Sequence, residues 1–243
     1  MSRKTRRNRT DPERQEPQVQ QAPQASGIRR WGTLIGAVVA VLLVFGAGAL
    51  LFKSKGTQSS PSAAATDLAA LERDHTPTLG DPNAKVHIVE FIDPACETCA
   101  LFFPLVKQLI AENPGKVRLS LRHVPFHDGA DYVVRLLEAS RQQDKYWQTL
   151  EALLASQAQW APHHTVRPDL VGPAIASVGL NLEQLMADMN APGIAQRMEQ
   201  DINDARALKV TATPEYFVNG RPLPSFGQQQ LLDLVEEELQ SAY

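Results

Sequence analysis

Apolar residues in this chain follow different patterns in different stretches. From Gly32 to Phe52 they run on without a charged residue for 21 positions. At about 1.5 Å rise per residue, such a run matches the roughly 30 Å hydrocarbon core of a bilayer. Trp31 stands at one end and Lys53 and Lys55 at the other, as suits the headgroup level. The pattern predicts a transmembrane helix over 31–52, because a soluble helix this apolar would need partners on every face. Ala47-Gly48-Ala49 and Ala63-Ala64-Ala65 resemble signal-peptide cleavage sites. The long polar lead ahead of the run nevertheless favours an uncleaved anchor.

Further along, the runs shorten and gain a period. Lys85 to Asp93 reads as a buried strand, and Val117 to Val124 alternates as a second strand should. Between them Leu101, Phe102, Leu105, Val106, Leu109 and Ile110 recur at helical spacing. They predict a helix from Cys96 to Glu112, kinked at Pro104 and closed by Asn113-Pro114-Gly115. Strand, helix and strand in that order predict a right-handed parallel unit. From Pro125 to Leu208 the pattern is helical, with candidates at 132–141, 145–156, 168–178, 182–190 and 193–208. Trp147, Leu150, Leu153 and Leu154 form one apolar stripe, and Leu182, Leu185, Met186 and Met189 another; both read as core. A strand at Glu215–Val218, a hairpin turn at Asn219-Gly220 and an amphipathic helix over 228–239 complete the chain. Pro77–Leu79 predicts a short edge strand.

Composition divides the chain. Residues 1–30 carry eight Lys or Arg against three Asp or Glu, +5 in a chain of net charge −3, which leaves −8 for the rest. A basic arm of this kind sometimes binds nucleic acid. Its few aromatics and its place ahead of the apolar run mark it instead as the cytoplasmic flank of an anchor. The N-terminus is therefore expected inside and the remainder outside the inner (cytoplasmic) membrane, periplasmic or extracellular. Residues 53–74 read as a linker with a short helical lead near Thr66–Arg73, and 75–243 as one folded domain.

That domain holds the chain's only two cysteines, Cys96 and Cys99, between the first strand and the first helix. A thiol at a helix start meets unpaired amides and the positive end of the helix dipole, and both favour thiolate. Cys99, one turn on, can attack a mixed disulfide formed at Cys96, so the pair reads as a redox centre with no metal or organic cofactor. Structural zinc wants four ligands, and there is no second cysteine pair. A copper- or zinc-handling site completed by His123 or His127 is the alternative, as is a chaperone-like binding module with an incidental dithiol. His163 and His164 read as solvated loop residues.

The segment Phe91-x-Asp93-Pro94-x-Cys96-x-x-Cys99, Pro104, Glu90 and the stretch Thr211-Ala-Thr-Pro-Glu-Tyr-Phe-Val-Asn-Gly220 together resemble the DsbA-like branch of the thioredoxin superfamily. The resemblance covers roughly 75–243. It implies a thioredoxin-like α/β fold, a mixed sheet flanked by helices, with a helical subdomain inserted at about 127–208. It further implies a cis-proline loop at Thr213–Pro214 facing the cysteines, with the Thr213 hydroxyl able to reach the Cys96 sulfur. Glu90 would lie beneath the pair as proton carrier, and Asp93 ranks behind it for that task. The activity implied is thiol–disulfide exchange with cysteine-containing exported proteins, reset by a redox partner. The inter-cysteine pair Glu97-Thr98 departs from the proline many members carry. The charge of Glu97 is expected to hold the potential short of the most oxidising members.

Overall fold

The computed structural model describes residues 68–243. The predicted anchor, the basic arm and most of the linker lie outside them, and among the described residues no helix is long and apolar enough to cross a membrane. The elements are α1 (Leu68–Leu71), β1 (Thr78–Gly80), β2 (Val86–Ile92), α2 (Glu97–Glu112), β3 (Val117–His123), α3 (Ala130–Ser140), α4 (Tyr146–Ala155), α5 (Gln157–Trp160), α6 (Pro168–Ala174), α7 (Leu182–Asp188), α8 (Pro192–Ala207), β4 (Glu215–Val218), β5 (Arg221–Pro222) and α9 (Gln228–Ala242). The strands form one mixed sheet in the order β1-β3-β2-β4-β5. β2 and β3 run parallel through the α2 crossover, and every other pair is antiparallel.

β2 is buried along its whole length, which is why it reads as a continuous apolar run rather than an alternating one. Its side chains still divide by pleat. Val86, Ile88 and Ile92 join Phe102, Phe103, Val106 and Leu109 of α2 and Leu231, Leu234 and Val235 of α9. Val89 and Phe91 join Leu71, Ala205, Val210 and Phe217 on the opposite face. Each such side chain, once fully buried, contributes about 1.5–3 kcal/mol. Glu90 falls on the α2 face by the same alternation. Asn219 and Gly220 both take positive φ, +49° and +80°, as a tight hairpin turn demands.

Several expectations need correction. Ala70 and Leu71, read as linker, are buried. Arg73 binds Asp204 through two nitrogens, at 2.8 and 2.6 Å, so the docked domain begins before residue 75. The stripe on α7 is only half core: Leu185 and Met189 are buried, while Leu182 and Met186 are each 52% exposed. The expected helix 168–178 breaks at Ile175, two residues after Pro173, and resumes as one 3-10 turn at Ala176–Val178. The expected helix through Pro104 to Glu112 is present as α2.

A buried ionic cluster joins β3 to α8. Arg122, fully buried, bonds Asp201 at 2.8 Å, contacts Asp204, and donates to the Ala70 carbonyl. Burial alone would push both aspartates up. The His75 and Arg122 contacts of Asp201, and the Arg73 and Arg122 contacts of Asp204, hold them below the usual carboxylate range.

Candidate active site

Cys96 is the N-cap of α2, with extended backbone (φ −81°, ψ 118°), so the helix opens directly beneath its sulfur. Cys99 is wholly buried, whereas Cys96 retains 5% exposure in the turn that follows β2. The Cys96 thiol donates to the Thr213 carbonyl at 3.2 Å, and the Thr213–Pro214 peptide is cis. The loop before β4 thus meets the turn after β2 at Cys96.

The two sulfurs are electrically unequal. Donation from the Cys99 thiol is the largest influence on Cys96; it outweighs burial and, with the Thr213 side chain and the amides of Cys99 and Thr98, lowers the Cys96 pKa to about 5. Those amides belong to the second and third residues of the helix, the positions an N-cap group serves. Cys99 moves the other way. Burial pushes it well up, and its donation to Cys96 and the nearness of Glu90 add to the effect. Glu97 is exposed, which explains why its charge does not keep the Cys96 pKa high.

Glu90 is fully buried on the α2 side of the sheet, and burial pushes its carboxyl up to about 8. Neither carboxyl oxygen has a well-formed hydrogen bond, and the same holds for the Tyr216 hydroxyl beside it. Asp93, which ranked behind Glu90, does something different. It too is fully buried, but its carboxylate accepts from the backbone N–H groups of Ala95, Phe126 and His127 and bonds the His127 ring at 2.7 Å. Asp93 fixes the turn that presents Cys96.

The helical insertion also grips that turn. Gln157 donates to the carbonyls of Pro94 and Cys96 at 2.7 and 2.9 Å. His164, expected in solvent, is half-buried: its ring lies 3.2 Å from the Ala95 carbonyl and stacks on His127 at 4.5 Å. His163 alone of that pair is exposed. His123 is buried against the Tyr146 hydroxyl at 2.7 Å, away from any ligand role. Sequence reasoning missed Gln157, His164 and Tyr216. For the first two nothing in the sequence links residues some sixty positions apart to the turn. Among the described residues no group of three His, Cys, Asp or Glu is placed to hold a metal ion.

The profile of the family described as thioredoxin matches residues 72–237. A Na(+)/H(+) antiporter NhaA of Herminiimonas arsenicoxydans is 31% identical over 196 residues, which are 79% of this chain and 30% of the antiporter. The chain therefore spans less than a third of that relative's length. Disulfide bond formation protein D of Bacillus subtilis is 26% identical over 172 residues, 67% of this chain and 77% of that protein. Among solved structures, a thioredoxin-like oxidoreductase from Silicibacter pomeroyi is 30% identical with a TM-score of 0.63, covering 72% of this chain and 98% of that one.

Proposed function

The chain belongs to the thioredoxin family, on its DsbA-like side, and from that premise we propose that it is a thiol–disulfide oxidoreductase working through Cys96 and Cys99. One observation carries the reading: the only two thiols share one helix start, one activated as thiolate and still touching solvent beside Thr213, the other wholly buried and held protonated. That asymmetry is what disulfide exchange needs, since the more accessible sulfur takes the substrate and the wholly buried one leaves.

In the oxidised state a substrate thiolate attacks the Cys96 sulfur. A substrate–Cys96 bond forms as the Cys96–Cys99 bond breaks, and the departing Cys99 thiolate takes the Glu90 proton. A second substrate thiolate then attacks the substrate sulfur of the mixed disulfide, forming the substrate disulfide and releasing Cys96 as thiolate. Two electrons pass from substrate to the pair, and a redox partner carrying a disulfide removes them. Run backward, the same steps reduce a substrate disulfide. Backbone at Thr213 pairs an extended substrate segment in the manner of strand addition. No metal or organic cofactor enters.

The setting belongs to the same proposal: an extracytoplasmic domain tethered to the inner membrane by residues 31–52, acting on exported proteins that contain cysteine. A domain like this one within a Na(+)/H(+) antiporter supports a membrane setting. The metal-handling and chaperone-like alternatives gain no supporting observation. The trial is a pair of variants in cells. Cys99→Ala should accumulate mixed disulfides with exported proteins and Cys96→Ser should yield none; absence of adducts from both would reject the exchange reaction.

A further inference from the structure

Glu90 and Tyr216 are directly opposed residues of the antiparallel β2–β4 pair. Opposed side chains in such a pair share a face of the sheet with Cβ atoms about 4.5–5.5 Å apart. Here that face is the one under α2, and both residues are wholly buried. Three polar atoms, both Glu90 oxygens and the Tyr216 hydroxyl, therefore stand together in apolar surroundings without a well-formed hydrogen bond. An isolated orphan of this kind is rare and costly, and two adjacent ones of complementary chemistry are a donor and an acceptor poised to pair.

The surroundings restrict what else they can serve. The Tyr216 ring is stacked on Phe102 at 6.1 Å, which in turn packs on Phe226 at 4.9 Å, so the hydroxyl has a fixed reach. Around Glu90, α2 contributes Cys96 and Cys99, β4 contributes Tyr216, and Tyr146 of α4 stands near enough to sense its charge. β3 offers Leu121 at the paired position, and α9 contributes apolar Leu231, Leu234 and Val235 to the same core. Tyr216 also lies two residues after Pro214, so β4 and the loop just before it carry both the Thr213 contact to Cys96 and the partner of Glu90.

We propose that Tyr216 is a positioning residue for proton transfer at the dithiol, its hydroxyl donating to the Glu90 carboxylate whenever Glu90 has given its proton to Cys99. The inference rests on the exchange reaction proposed above. In the reducing direction Cys96 thiolate opens a substrate disulfide and expels one substrate thiolate. Glu90 carboxylate then takes the Cys99 proton as Cys99 attacks Cys96, and the second substrate thiolate leaves. Tyr216 stabilises the charged carboxylate that this last step requires. In the oxidising direction Glu90 starts protonated, and the hydroxyl stabilises the carboxylate left behind once Cys99 has taken that proton.

The variant is Tyr216→Phe, which keeps the ring stack and removes one oxygen. Reduced protein is mixed with excess of a small aromatic disulfide whose thiol is coloured, and the two thiol-release phases are followed against pH. The first reports Cys96 attack, the second resolution by Cys99. A lost hydrogen bond to a charged group should move the midpoint of the second phase up by about one to two pH units, a roughly ten- to hundredfold slowing at neutral pH. The first phase should be unchanged, and the same substitution in a Glu90→Gln background should add nothing. A second-phase profile that coincides with the parent's would overturn the role of Tyr216, as would equal slowing in the Glu90→Gln background. Loss of the first phase in the parent protein would instead reject the exchange reaction itself.

Discussion

Replacing Cys99 separates the influences that make Cys96 reactive. The largest is a hydrogen bond from the Cys99 thiol, ahead of the Thr213 side chain and the amides of Cys99 and Thr98. A hydrogen bond to a charged group is worth about 1.5–3 kcal/mol, and one pKa unit is 1.36 kcal/mol. Cys99→Ala should therefore raise the Cys96 pKa from about 5 to roughly 6–7. The amides and the helix dipole survive in that variant, so the value should not return to that of a free thiol. Cys99→Ser keeps a hydroxyl donor in the same place and should lie between parent and Ala variant. The assay is the ultraviolet absorbance of the thiolate across pH, checked by the pH dependence of alkylation. A midpoint that stays near 5 in Cys99→Ala would refute the ranking and leave the Thr213 side chain and the helix start as the causes. A midpoint that rises as far in Cys99→Ser would show that packing, not hydrogen bonding, had changed.

Three further outcomes follow from the same contacts. With Cys96 near 5, between values of about 7 and 3.5 for weakly and strongly oxidising relatives, the potential should fall at about −220 to −180 mV against glutathione, and a result near −270 or −120 mV would contradict the site's electrostatics. Glu90 binds its proton in the folded state up to about pH 8 but loses it near 4.5 when unfolded. Stability of the oxidised protein should thus fall as pH rises through that window, by at most about 5 kcal/mol. Urea unfolding should show Glu90→Gln without that slope; parallel slopes in the two proteins would mean that Glu90 does not titrate there. Arg122→Ala removes the buried cation that two aspartates share, leaving Asp201 to His75 and Asp204 to Arg73, and should cost about 3–5 kcal/mol in the same assay, with a loss below about 1 kcal/mol counting against the cluster.

What the sequence disclosed about this site, and what it withheld, divides along physical lines. The strand, the CxxC turn and the helix are contiguous, so local periodicity and the N-cap position of Cys96 place the thiols without tertiary knowledge. Cys96 meets Thr213 across 117 positions, yet resemblance to a known loop brings them together. Glu90 shows where periodicity alone stops: a charged residue in an apolar run fits an exposed strand face or a buried one equally well. β2 lies between β3 and β4 with a helix over its pleat, and that placement, a property of the whole sheet, decides for burial. Gln157 and His164 were illegible because an irregular insertion carries them onto the turn; His163 and His164 both have left-handed backbone (φ +52° and +60°), which aims one imidazole inward and its neighbour out. Tyr216 is the instructive case. The hairpin at Asn219-Gly220 fixes only the β4–β5 register; the β2–β4 register that opposes Tyr216 to Glu90 is closed at its end by Asn219, whose backbone donates to the His87 carbonyl and whose side chain accepts the His87 N–H at 2.8 Å. A loop side chain 132 positions from its partner thus helps to hold the register that sets Tyr216 against the buried carboxyl. Shifting that register by one residue would turn Tyr216 to the other face and put Phe217 or Glu215 against Glu90, so the proposed proton transfer depends on a register fixed far from either cysteine.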